Sequence, residues 1–382
     1  PDGLPPASQR AISEAEIVMG PPRHLDLIGN RGGDKIAWPV PFADGIDILK
    51  GLSGRRVAVL ASGDPFWYGA GSTIARHFDR WEWVCLPGSS VFSQVAAHMG
   101  WPLERVICLG LHAAPLERLR PYMFNEAQII VTLRDGNAVA QLARYLKHIG
   151  AGGSTFNVFE SIGGNNQRFS KIALAEALKG GFKHPVSVAM QISGCFTALP
   201  KCSGLPDDVF ETDGVMTKRP IRAVTLSALA PKPGETLWDI GGGSGSIAIE
   251  WLLAHPTCQA VTIEHRTDRL ALITKNAHNL GVDRLKIIHG TAPDALQGLV
   301  RPDAIFIGGG LSAAMIEALN PLAKGTRAVA NAVTLEAENL LVSLHREKGG
   351  DLMRFDIARA KPMGAKRGWN AAYPIVQWAG VL

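Results

Sequence analysis

The stretch LWDIGGGSGSIAIEW, positions 237–251, restricts the fold more than any other. An apolar, strand-like run ends at Asp239, four glycines follow among five residues, and an apolar helix start comes next. Glycines at such a strand-to-helix turn admit backbone where side chains would collide. They also bring helix-terminal N–H groups close to a ligand. A second turn, ASGDPFWYGAG at 61–71, lies far upstream and requires its own explanation.

Strand-like and helix-like runs alternate along the whole chain. RRVAVLASGDP reads as strand and turn, GAGSTIARHF as helix, WEWVCLPGSS as strand and turn, and VFSQVAAHMG as helix. AQIIVTLRDGN and AVAQLARYLKHIG repeat the pair. Such alternation predicts an α/β protein with mainly parallel sheets. The rhythm breaks at SGCFTALPKCSGLPDDVFETDG, 193–214, which is rich in Gly, Pro and Asp. A domain boundary is expected there, giving a first domain over 1–196, a linker over 197–214 and a second domain over 215–382. A length of 382 residues and a hydrophobic content of 46% suit two or three cored domains.

The same residues narrow the function. No apolar run reaches the roughly 18 residues of a membrane span, and PDGLPPASQR lacks the features of a signal peptide. The expectation is a cytoplasmic protein without membrane attachment. The five cysteines form no C-x-x-C pair, the 11 histidines are scattered, and no metal site is expected. A net charge of +5 suits an anionic partner, or simply a solvated surface with a modest basic excess.

Within the opening motif, Gly243, Gly245 and Ala248 loosely satisfy the dinucleotide pattern G-x-G-x-x-A. Glu264 closes the next strand-like run, AVTIE, where an acidic group accepts ribose hydroxyls of either a dinucleotide or S-adenosylmethionine. Thr291-Ala292-Pro293-Asp294 forms a turn placed to flank an adenine. This order resembles the class I S-adenosylmethionine-dependent methyltransferases. The resemblance implies donor contacts from Asp239, Gly241, Gly242, Gly243, Ser244, Gly245, Glu264 and Ala292. After PDAIFI there is no N-P-P-Y or D-P-P-Y, the motif that grips a planar amide or amine. Gly308, Gly309 and Gly310 stand instead, leaving room for a large flat substrate or making a tight turn.

In the first half, Gly63-Asp64-Pro65 followed by Tyr68-Gly69 resembles the G-D-P-x-x-Y turn of the tetrapyrrole methylases. CLPGSSVFSQVAAHMGWP matches the Pro-Gly-Ser-Ser turn and helix of that family, and adds Ser89 and Ser90 to the expected donor contacts. TLRDGN, VFESIGG and VAMQISG fit the strand ends of its second subdomain. The resemblance implies two α/β subdomains with the donor in the cleft between them.

A tetrapyrrole methylase followed by a class I Rossmann-like methyltransferase containing MTKRPIRAVTLSAL resembles one family, the fused decarboxylating precorrin-6Y methyltransferases of cobalamin biosynthesis. The resemblance implies methylation at carbons 5 and 15 and loss of carbon dioxide from the ring C acetate. It assigns carbon 5 to the first half, and carbon 15 with the decarboxylation to the second. It implies one S-adenosylmethionine per domain and a tetrapyrrole polycarboxylate partner. Basic and aromatic clusters are not interleaved, so no nucleic-acid partner is expected, and the further expectation is a homo-oligomer. Thr217 in MTKR matches a donor-contacting Thr of the family, or is a helix N-cap. Lys218, Arg219 and Arg222, and Lys361, Lys366 and Arg367, are candidate clamps for substrate carboxylates. Gly309 is a candidate substrate contact.

Two features depart from the family pattern. Its members open with a strand and glycine-rich turn before a segment like PDGLPPASQRAISEAEIVMG, and LGLHAAP stands where a Gly-Arg is expected after the His. Two rival readings stay open at this point. One is an RNA methyltransferase with an N-terminal binding module. The other is a scaffold whose first domain has lost catalysis.

Overall fold

The computed structural model describes residues 3–382; Pro1 and Asp2, where the first expected domain begins, lie outside the described residues. The chain divides into two compact units. One runs to Ala114 and continues over Phe124–Phe196, and the other joins Pro115–Met123 to Thr197–Leu382.

The first unit holds two sheets. The strands β1 (Ile17–Gly20), β2 (Asp34–Ala37) and β3 (Val57–Val59) form a parallel sheet in the order β2-β1-β3. Successive side chains of β1 point to opposite faces. Val18 therefore packs with Ile12, Leu25 and Ile28, while Met19 packs with Trp38, Ile46 and Leu49. The strands β4 (Ile107–Leu111), β5 (Gln128–Leu133), β6 (Thr155–Glu160), β7 (Arg168–Ile172) and β8 (Val186–Gln191) form a second sheet in the order β4-β5-β8-β6-β7. Phe92, Val95 and Ala96, from the helix Val91–Met99, cover it against Ile130, Phe159 and Ala189.

The sheets are parallel-rich as expected, and this five-stranded sheet is the exception. Only β4 and β5 pair in parallel; β8 enters antiparallel between β5 and β6, and β7 folds back on β6. The alternating apolar pattern records burial and not strand direction. As a result, β5 and β6 end at Leu133 and Glu160 beside the start of β8, Val186. The end of VAMQISG lies at the opposite edge of the sheet from TLRDGN and VFESIGG. WEWV also departs from expectation: after the short turn Arg80–Glu82 the chain runs without a ladder partner, and Trp81 and Val84 are exposed.

The second unit is built on β9 (Thr236–Ile240), β10 (Gln259–Glu264), β11 (Lys286–His289), β12 (Ala304–Ile307), β13 (Arg327–Ala332), β14 (Asp351–Phe355), β15 (Ala358–Met363), β16 (Lys366–Ala371) and β17 (Ile375–Val381). Seven of these form one sheet, in the order β11-β10-β9-β12-β13-β17-β14. The strands β9 to β13 run parallel, and β17 runs antiparallel to both its neighbours. Both faces are covered: Leu237 of β9 packs with Ile247, Trp251 and Leu226, and Trp238 packs with Ile305, Leu319 and Leu344. Burial on both sides explains why β9 reads as a nearly continuous apolar run. From β9 the chain winds outward through β10 to β11, then returns to place β12 on the other side of β9. Ligands of open α/β sheets bind at the carboxyl ends of strands at such a switch point.

Residues 197–214 are part of this unit. Leu199, Leu205 and Phe210 sit in its core, and the amides of Gly204 and Leu205 donate to Glu250 at 2.6 and 2.9 Å. Residues 115–123, expected in the first domain, belong here as well. Leu119 is fully buried, Arg118 donates to both oxygens of Asp283 at 2.8 and 3.0 Å, and Lys201 Nζ donates to the Pro121 carbonyl at 2.8 Å. Among the described residues, no helix is long and apolar enough to cross a membrane.

Candidate active sites

The glycine turn of the second unit lies where the switch point puts it. Gly241, Gly243 and Gly245 all have positive φ, at 77°, 59° and 77°. A Cβ on Gly241 would lie 2.8 Å from the Gly309 nitrogen, and one on Gly242 2.2 Å from Thr262 Oγ1. The turn therefore packs backbone to backbone against the segment after β12, where the Gly308 amide donates to the Ile240 carbonyl at 2.9 Å. Above Gly243 the space is open: its Cβ would meet only the Val215 carbonyl, at 3.8 Å, and one on Gly310 would meet nothing within 4 Å. Ser244 is buried, and its Oγ has no hydrogen-bond partner among the described residues. Gly245 caps the helix Ser246–Ala254, so the helix start faces the turn. Open space, an unsatisfied hydroxyl and a helix start together fit the methionine end of S-adenosylmethionine, whose carboxylate such a terminus favours.

Glu264 closes β10 and is buried. Its Oε2 accepts from the Gly243 amide at 2.9 Å, and its Oε1 accepts from the amides of His265 and Arg266 at 2.9 and 3.0 Å. The carboxylate thus shapes the turn through three backbone amides. Ala292 is partly buried against Leu296 and its neighbours, in the loop after β11.

Asp239 lies beneath the turn, 1% exposed. Burial pushes its carboxyl up to about 7, against hydrogen bonds from the Ala248 amide and Thr262. The consequence for stability has a definite sign. Between the ordinary carboxylate range and about pH 7 the folded chain holds a proton that the unfolded chain has lost, so stability falls as pH rises through this window and levels off above it. Asp239→Asn is expected to flatten that slope, read from urea unfolding at several pH values between 5 and 8, roughly the range over which the proton is released.

In the first unit, Gly63 has φ 57°, and a Cβ there would lie 2.9 Å from Ser90 Cα. The Gly88 amide donates to the Gly63 carbonyl at 2.9 Å, clipping the Gly-Asp-Pro turn to the Pro-Gly-Ser-Ser turn. Asp64 Oδ1 accepts from the Phe66 amide at 2.9 Å, closing an Asx turn over Pro65. Ser90 is buried and caps the helix Val91–Met99 through the Ser93 amide at 3.0 Å; Ser89 is exposed beside it. A Cβ on Gly69 would lie 2.6 Å from the Pro65 carbonyl. Tyr68 holds a left-handed backbone, φ 55°, and donates its hydroxyl to the Cys108 carbonyl of β4 at 3.0 Å. A non-glycine residue in that region is strained and persists only where its surroundings hold it. The structure thus brings Gly63, Asp64, Pro65, Tyr68, Gly69, Ser89 and Ser90 to one place, beside the end of β4.

The candidate substrate clamps separate. Lys218 and Arg219 are exposed at the start of the helix Arg219–Leu229, and Thr217 is half-buried before it; Lys218, and not Thr217, is its N-cap. Lys366 and Arg367 are exposed on the ribbon of β15 and β16, where Lys361 is opposite Gly368, Lys366 opposite Met363, and Arg367 opposite Pro362 on the other face. Arg222 is a correction. It is fully buried, pairs with Glu250 and Asp207, and donates to the carbonyls of Leu205 and Thr217, so no fork remains for a substrate carboxylate.

Arg269 and Asn276 are functional candidates that sequence reasoning passed over. Asparagine is disfavoured within helices. Its place beside Ile273 and Ala277 on the buried face of the helix Thr267–Asn279 is the signal that could have found it.

A glycine turn at the switch point, an acidic side chain closing the next strand and an antiparallel strand within the seven-stranded sheet define the second unit as a class I S-adenosylmethionine-dependent methyltransferase fold. Residues 208–381 match a family model described as the precorrin methyltransferase domain, and residues 1–178 match the tetrapyrrole (corrin/porphyrin) methylases. A precorrin-6Y C(5,15)-methyltransferase (decarboxylating) of Sinorhizobium sp is 43% identical over 99% of this chain and 92% of its own length. A protein of the same name from Mycobacterium tuberculosis is 35% identical over 99% of this chain and 96% of its own. A probable cobalt-precorrin-6B C(15)-methyltransferase (decarboxylating) of Pyrobaculum calidifontis is 34% identical over 45% of this chain and 92% of its own. The chain belongs to the family of decarboxylating precorrin-6Y C(5,15)-methyltransferases, which are S-adenosylmethionine-dependent enzymes of cobalamin biosynthesis.

Proposed function

We propose that the chain methylates precorrin-6Y at carbons 5 and 15 and releases the ring C acetate carboxyl as carbon dioxide, with one S-adenosylmethionine in each domain. The second unit takes carbon 15 and the decarboxylation, and the first takes carbon 5. The observation that carries this is the pair of glycine turns on unlike scaffolds, each packed backbone to backbone beside a helix start, with open space above Gly243 in the second. The shorter Pyrobaculum relative supports the division, since its name joins C(15) methylation to decarboxylation and leaves carbon 5 out.

The chemistry asks little of nucleophilic side chains. A methyl carbon passes in line from a sulfonium to an electron-rich meso carbon, and the sulfur–carbon bond breaks as the carbon–carbon bond forms. Alignment and exclusion of water supply most of the gain, roughly 7–11 kcal/mol for a well-held pair. In the decarboxylation, the bond between the acetate methylene and its carboxyl carbon breaks, carbon dioxide leaves, and the bonding pair passes into the protonated conjugated ring. In this reading Gly241 to Gly245, Asp239, Glu264, Ala292 and Thr217 hold the second donor. Gly63, Asp64, Pro65, Tyr68, Gly69, Ser89 and Ser90 hold the first. Lys218, Arg219, Lys366 and Arg367 meet substrate carboxylates, and Gly309 leaves room for the macrocycle. A cytoplasmic homo-oligomer working on a free polycarboxylate, with neither membrane nor nucleic acid, completes the proposal.

Precorrin-6Y incubated with the chain and S-adenosylmethionine is expected to gain two methyl groups and lose one carbon dioxide, read by mass spectrometry. Calorimetry with S-adenosylhomocysteine is expected to give a stoichiometry near two. A value of one would remove one of the two donor sites.

A further inference from the structure

One segment of the second unit is held against the glycine turn chiefly by polar contacts, with Met216 its one apolar residue packed on the core. Residues 211–217 carry no regular structure, and 211–215 are exposed, with Val215 59% exposed. Both ends are fixed. At one end the buried Asn276 accepts from the Glu211 amide at 2.8 Å and donates to the Glu211 carbonyl at 2.8 Å. The same carboxamide donates to the Ser244 carbonyl at 2.9 Å, so one side chain joins the segment to the turn. At the other end the Thr217 carbonyl accepts from the buried Arg222 at 2.6 Å.

The middle is tied through Asp213. Its Oδ1 accepts from the Val215 amide at 3.0 Å, and its Oδ2 accepts from Arg269 Nε at 2.9 Å, with Arg266 at 3.7 Å. Arg269 also faces the turn: its guanidinium is 4.0 Å from Glu264 Oε2, the oxygen that accepts from the Gly243 amide. The Val215 carbonyl lies 3.8 Å from where a Gly243 Cβ would stand. Arg269 and Asn276 are two helical turns apart and so share a face of their helix. An exposed segment with few apolar contacts opens easily by itself, so its closure depends on such ties.

We propose that Asp213 and Arg269 form a latch that positions the strap 211–217 across the donor turn, with Asn276 as its fixed post, and that the closed strap slows donor release and places Thr217. The three are positioning residues. The inference rests on the reading of this turn as the donor site.

The test follows release of tritiated S-adenosylhomocysteine from the full chain after rapid dilution, taking the phase that Gly241→Val abolishes as that of the second unit. Asp213→Asn and Arg269→Gln are each expected to speed that phase roughly three- to tenfold, with a smaller change in association rate. The double variant should be no faster than either single one, Asp213→Glu should recover part of the loss, and the ligand-free unfolding midpoint should stay unchanged. Release unchanged in both single variants, or an additive double variant, overturns the latch and leaves the donor site standing. A lowered ligand-free midpoint with unchanged release also overturns it, because the pair would then be structural only. If Gly241→Val abolishes neither phase, the donor reading of the turn fails, and the latch fails with it.

Discussion

Gly241→Val is expected to abolish donor binding in the second unit, by at least about a hundredfold or roughly 2.8 kcal/mol, while the first unit keeps its site. Gly241 has φ 77°, a region that strains any β-branched residue by about 1–3 kcal/mol. Its new Cβ would lie 2.8 Å from the nitrogen and 2.9 Å from the Cα of Gly309. Those neighbours are backbone, so no rotamer change relieves the contact, and β9 and the segment after β12 must part at their carboxyl ends. That edge is where the donor is proposed to lie. The calorimetric stoichiometry for S-adenosylhomocysteine should fall from two to one. The product of precorrin-6Y should then carry one new methyl and keep its carboxyl. Loss of both sites together would point to global unfolding, and retention of both would remove the turn from the donor site.

The turn was legible because its signal is local. A strand, four glycines, a helix start and Glu264 at the end of the next strand all fall within one βαβ stretch, and each residue type answers a steric or hydrogen-bonding demand. The Gly63 and Ser90 turns were legible for the same reason, although the hydrogen bond from the Gly88 amide to the Gly63 carbonyl, 2.9 Å, joins two separate loops. What could not be read was set by partners distant in sequence. Strand direction in the second sheet depends on β8 inserting between β5 and β6, and burial patterns are alike for parallel and antiparallel neighbours. The segment 197–214 reads as linker by composition, yet Leu199, Leu205 and Phe210 find a core built from β9 and its helices. The same holds for charge. Lys218, Arg219 and Arg222 look alike as a basic cluster, and only helical phase and the position of Glu250 send the third inward.

That difference yields the largest expected effect on stability. Arg222→Met should destabilise the second unit by roughly 3–5 kcal/mol, the usual result of removing one partner of a buried ion pair. The guanidinium is fully buried, donates to Glu250, to Asp207 at 3.0 Å and to two carbonyls, and lies 4.9 Å above the Phe210 ring. Methionine fills part of the volume but leaves the Glu250 carboxylate with only the Gly204 and Leu205 amides, at 2.6 and 2.9 Å. Adding Glu250→Gln should recover part of the loss, since the uncompensated charge is removed while an amide oxygen still accepts. Arg222→Lys should fall between, because an ammonium keeps the charge but not the planar fork. Lys218→Ala and Arg219→Ala, on exposed side chains one turn earlier, should change stability by no more than about 0.5 kcal/mol and raise the KM for the polycarboxylate substrate. Urea unfolding and steady-state kinetics on the same five proteins separate the two behaviours. An Arg222→Met protein as stable as the parent, with its defect confined to KM, would return Arg222 to the substrate and overturn its structural assignment.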